Sequence, residues 1–154
     1  MTNKIVDLRN QSEVGEYGVA FAARDAQGSY EHAFVVWYYS DPKGKRTNRR
    51  AAGFYPTGDG KFYDLVIGGV PGQVEDDSQQ KISQQLIVLV NKSVFDVCVK
   101  AESKYKDATY RLMTNDCVSF VEAVGATIPG LKLPSRVTNI FPSSYIGSLY
   151  DMND

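Results

Sequence analysis

The chain has 154 residues, with 17 Lys and Arg against 18 Asp and Glu and a formal net charge of -1, a balance that excludes a dedicated nucleic-acid binder with its strong basic excess. The 43% apolar and 23% charged residues are ordinary for a soluble globular protein, and the length suits one domain over 1–154 with a core of its own. No apolar run approaches the roughly 18 to 20 residues of a membrane span, and the opening MTNKIVDLRNQSEVGEYG lacks a basic-then-apolar leader, so the expectation is cytoplasmic synthesis, with any export relying on a machine that reads no cleavable signal.

In chain order, residues 1–18 read as polar and irregular. GVAFAARD (18–25) and YEHAFVVWYYSD (30–41) read as two strands, with AQGS between them as a hairpin loop. DPKGKRTNRR (41–50) is a basic turn-rich loop, and AAGFYPTGDG (51–60) returns as a third strand ending at Pro56. An irregular stretch runs on to about residue 77. Ile82, Leu86, Leu89, Val90, Val97 and Ala101 then recur at spacings of three, four and seven, which predicts a helix over 79–103 with Asp77 or Ser78 as its cap. Cys98 beside that face reads as a packed core thiol. ATYRLM (108–113) is a short extended segment, NDCVSFVEAV (115–124) a second helix, and the remainder an irregular tail wrapped over the core.

The chemistry centres on Cys117. A thiol attacks only as thiolate, and an ordinary thiol is mostly protonated at neutral pH. Thr114, Asn115 and Asp116 all cap helices well, so Cys117 falls in the first helical turn, where unpaired N–H groups favour negative charge and can bind an oxyanion. The base would be His32, the single histidine, at the polar entry to a hydrophobic strand. With two cysteines in different settings and a reducing compartment, both are expected as free thiols.

YEHAFVVWYY, AAGFYP, VPGQVEDDS and YRLMTNDCVSFVEAV together resemble the circularly permuted branch of the NlpC/p60 papain-like superfamily, in which the histidine strand precedes the cysteine helix, as in lecithin:retinol acyltransferase-like enzymes. The likeness covers residues 18–125 and is closest to bacterial domains found in polymorphic toxins and type VI secretion cargo. It implies an α+β permuted papain-like fold, an antiparallel sheet packed against a cysteine-bearing helix, with Cys117 as nucleophile and His32 as base. For the third, orienting residue, Asn48, Tyr55, Asn115 and Asp116 are the candidates. Glu31 stands where the closer pattern has glycine and Asp116 where it has asparagine; a carboxylate beside the cysteine opposes thiolate formation.

The resulting expectation is a cysteine hydrolase cutting amide bonds of peptidoglycan peptides as an antibacterial effector, with a secretion apparatus and a cognate immunity protein as partners. A lipid-directed acyltransferase or phospholipase using the same dyad is the first alternative, and a binding module with an unreactive cysteine the second. No cofactor is expected. No metal is expected either: GDGKFYD lacks the ligand spacing and closing glutamate of a calcium loop, and His, Cys and carboxylates do not cluster. GKRTNRR reads as a solvated basic loop, with anionic lipid or cell-wall polymer as its functional alternative.

Overall fold

A computed structural model of the chain describes residues 1–25, 31–40, 47–57 and 62–154. Its elements are β1 (Thr2–Asp7), β2 (Glu16–Arg24), β3 (His32–Ser40), β4 (Thr47–Pro56), α1 (Phe62–Ile67), β5 (Val70–Asp76), β6 (Gln84–Val90), α2 (Lys92–Ser103), β7 (Thr109–Tyr110), α3 (Cys117–Gly125) and α4 (Pro142–Met152). The strands form one seven-stranded sheet in the order β1-β6-β2-β3-β4-β5-β7. AQGS and DPKGKR, the first six residues of the basic loop, lie outside the described residues.

The class is α+β, but the sheet is mixed rather than antiparallel. β1 runs parallel to β6, with Thr2 opposite Gln84 and Asp7 opposite Leu89, while the other pairings are antiparallel. Residues 1–18, expected to be irregular, thus hold an edge strand and the start of β2.

The expected helix over 79–103 divides into β6 and α2. Gln-Gln-Leu-Ile-Val-Leu-Val is rich in β-branched and large apolar residues, and both edges of β6 are paired because it lies between β1 and β2. Its spacings of three and four were coincidental with a continuous apolar run, which periodicity cannot assign on its own. The helix proper begins after Asn91, and its buried face is Phe95, Cys98 and Ala101. Asp77 and Ser78 therefore cap nothing there. The stretch before Asp77 contains α1 and β5, and the tail ends in α4, which starts on Pro142, a residue preorganised for a first helical turn.

Strand alternation sorts the core onto two faces. Ala33, Val35 and Trp37 of β3, with Val19 and Phe21 of β2, meet the buried sides of α2, α3 and α4. Phe34 and Val36, with Ala20, Ala22 and Ala51, form a second buried cluster on the reverse face. α3 packs chiefly on β3, which brings its N-terminus to the His32 end of that strand.

Candidate active site

β3 and β4 stay paired from Ser40↔Thr47 as far as Val35↔Ala52, and there the ladder stops. Beyond that point β4 continues with β5 alone, through Tyr55↔Gln73 and Pro56↔Gly72. The splay leaves part of the β3 edge open. Ala23, opposite Ala33 on β2, turns its carbonyl away to accept from the Ser83 amide at 2.8 Å. By antiparallel alternation the Ala33 amide therefore faces the gap where β4 has departed. It is near enough to the Cys117 sulfur to favour the thiolate.

His32 itself is buried, 4% exposed. Its Nε2 lies 2.9 Å from Asp77 Oδ2, and its ring stacks on Phe34 and packs tilted against Tyr55, with centroids 5.6 Å and 4.4 Å away. Tyr55 Oη donates to the other carboxylate oxygen, Asp77 Oδ1. Asp77 is 1% exposed, and these two donors satisfy a carboxylate that burial would otherwise penalise heavily. Because Asp77 accepts at Nε2, the neutral imidazole carries its proton there and keeps Nδ1 as a free base. The pleat turns the imidazole to the Phe34 side, whereas the Ala33 side chain faces α3. Ring and thiol occupy the two sides of one splayed strand end.

Cys117 opens α3 as expected. Asp116 is its N-cap: Oδ1 accepts the Val118 and Ser119 amides, each at 3.1 Å, and Ser119 Oγ in turn accepts the Asp116 amide at 3.0 Å. Asp116 Oδ2 accepts the Met113 amide at 2.9 Å, which holds Met113 at φ 71 in the left-handed region. The same oxygen meets Arg136 Nη2 at 3.1 Å. Tyr110 of β7 is buried beside Cys117, and burial first and the Cys117 charge second push its phenol up. The amides that an oxyanion would use in the first turn are thus partly taken by the cap.

The thiol is 5% exposed. Burial first, and the Asp116 carboxylate second, push its pKa up to about 12, while the Ala33 amide and Arg136 pull the other way. Burial and the adjacent acid override the favourable field of the helix N-terminus, so the resting sulfur is a protonated thiol.

Of the proposed third residues, Tyr55 is in the site, and Asp116 touches it only as a cap. Asn115 closes the preceding turn, with Nδ2 donating to Thr109 O at 2.7 Å. Asn48 pairs with Tyr39 at the opposite end of β4. The residue that sequence reasoning missed as a partner is Asp77, taken for a helix cap. Its one signal is an acid just past a strand beside AAGFYP, where Gly53 leaves the space it occupies. Cys98 is the packed thiol expected, fully buried and 3.1 Å from Thr127 Oγ1. Both cysteines are free. Among the described residues, no group of three or more His, Cys, Asp or Glu could hold a metal ion, and no helix is long and apolar enough to cross a membrane. No family model, curated protein or solved structure matches the chain.

Proposed function

We propose that the chain is a thiol hydrolase of permuted papain-like architecture, with Cys117 as nucleophile, His32 as base and Asp77 as the residue that orients the imidazole. One observation carries the reading. The Cys117 thiol feels the Ala33 amide, next in the chain to His32, and the His32 ring is held by a buried carboxylate 2.9 Å away. That is the nucleophile–base–orienter logic of covalent acyl transfer.

In this mechanism, because ring and thiol lie on opposite sides of β3, the thiol proton reaches His32 Nδ1 through a water at the open strand end as sulfur bonds to the carbonyl carbon. The carbonyl π electrons move to oxygen, with the Cys117 amide and the Tyr110 hydroxyl assigned as donors to the oxyanion. Collapse expels the amine or alcohol, which takes the proton back from the imidazolium. Water, deprotonated by the same ring, then cleaves the thioester. A high thiol pKa suits this order, in which proton transfer accompanies attack instead of preceding it. The sequence resemblance supplies the substrate: amide bonds of peptidoglycan peptides, cut by an antibacterial effector made in the cytoplasm and exported with an immunity protein left behind.

The test is release of new amine ends from purified muropeptides. Wild type should cleave, Cys117→Ala and His32→Ala should not, and Asp77→Asn should lose about 10²- to 10⁴-fold. Cleavage that persists in Cys117→Ala would sink the proposal. The buried, protonated state of Cys117 favours a second reading, a binding module on the same fold. Wild type inert toward both amide and ester substrates would select it.

A further inference from the structure

The acid preceding Cys117 poses a problem that the fold answers from another part of the chain. Asp116 is 5% exposed and adjoins the sulfur, so its charge acts on the thiol with little water between them. After α3 the chain doubles back. Gly125 lets it pass closely, since a Cβ there would lie 2.9 Å from Leu133 Cδ2. Leu131 and Leu133 pack on the core and carry the strap along α3 toward its N-terminus. Arg136 is at the strap's end, and its guanidinium forks across the helix cap, with Nη1 3.0 Å from Ser119 Oγ and Nη2 3.1 Å from Asp116 Oδ2. Its Nε is buried and has no hydrogen-bond partner. The charge is therefore held in a largely desolvated place and aimed at one carboxylate.

We infer that Arg136 is a positioning residue for Cys117, neutralising the carboxylate of Asp116 so that the cap can remain an aspartate without suppressing the thiolate. This rests on the reading of Cys117 as the reactive thiol, though not on any substrate. An acid at the cap binds two helix amides and the Met113 turn more firmly than a neutral amide would, and Arg136 removes the electrostatic penalty of that choice. The charged groups that act on the sulfur are Asp116 and Arg136, and Tyr110 of β7 in turn feels the thiol, while Tyr105 from the turn after α2, Glu122 along α3 and Tyr145 from α4 surround Arg136 and Asp116. Of the described groups around the thiol, Arg136 is the fixed cation: Tyr105 and Tyr145 both feel it as a charge lowering their pKa.

The experiment is the rate of Cys117 alkylation by iodoacetamide between pH 8 and 10, with Cys98→Ala in every protein and folding checked by circular dichroism. Arg136→Gln should slow alkylation at a given pH by about tenfold, one pH unit's worth of thiolate. In the Asp116→Asn background the same change should have almost no effect. Arg136→Lys keeps the charge but loses the fork, and should fall between the two, which preserves the test if Arg136→Gln does not fold. An unchanged or faster rate in Arg136→Gln overturns the inference. So does an equal slowing in both backgrounds, which would make Arg136 a purely structural strut. A chain that alkylates as expected but cleaves nothing would refute the hydrolase and leave this coupling standing.

Discussion

Gly53 occupies a position on β4 where any side chain would collide with the His32–Asp77 pair. A Cβ there would lie 2.6 Å from His32 Nε2 and nearer still to Asp77 Oδ2. Glycine inside a strand costs stability, and close approach of functional groups is a sufficient reason to keep it. Gly53→Ala should therefore displace the carboxylate from the imidazole. The expected outcome is turnover reduced to the level of Asp77→Asn, with stability lowered by about 1–3 kcal/mol, read by muropeptide cleavage and by denaturant unfolding. Wild-type behaviour in both measurements would show that the pair tolerates separation. The partnership could not have been read from the chain, because Asp77 and His32 meet only through the lateral order β3-β4-β5. His32, Tyr55 and Cys117 were legible because strand-entry, aromatic-strand and helix-cap signals are local. Arg136 carried no local signal, since its partner lies across a strap that composition marks only as irregular.

At the scale of elements, α4 shows how a departure from the expected pattern finds use. Its N-cap, Phe141, has no side-chain acceptor, and Glu31 supplies one from across the molecule, accepting the Ser143 amide at 3.0 Å. A carboxylate there also complements the helix dipole. Glu31→Ala should lower stability by about 1 kcal/mol and Glu31→Gln by less, as read from urea midpoints. Equal loss in both would assign the effect to charge rather than to packing or the hydrogen bond. α4 itself was not legible in SSYIGSLYDM because Gly and Ser dilute its helix preference, and it is held by Tyr145, Ile146 and Leu149 buried in the core. The same tertiary override explains β6: Gln84–Val90 is a strand because β1 and β2 flank it, a fact external to its own sequence.

For the whole molecule the buried thiol predicts a pH dependence with a definite sign. Below pH 9, its ordinary value, the thiol is protonated folded or unfolded and contributes no slope. Between 9 and about 12 the unfolded chain releases a proton that the folded one retains, so stability falls as pH rises. Each pH unit in that window costs about 1.4 kcal/mol when the two states differ by a full proton. Urea midpoints measured from pH 7 to 10 should drop more steeply for wild type than for Cys117→Ala, while Cys98 and Tyr145, also raised by burial, contribute to both. Parallel curves would mean that the thiol is not desolvated in solution.

The parallel pairing of β1 has a consequence of a different kind. Two parallel strands cannot close through a hairpin, so β1 must wait until β6, some way along the chain, has joined β2. It is clasped afterwards by Lys4, whose Nζ donates to the carbonyls of Tyr150 at 2.6 Å and Asn153 at 3.0 Å. If that clasp opens and β1 peels away, the edge uncovered is Leu86-Ile87-Val88-Leu89-Val90, uncharged, rich in β-branched residues and free of proline. Such a segment is a template for intermolecular strand addition. β1 and its lysine thus serve as the guard against self-association.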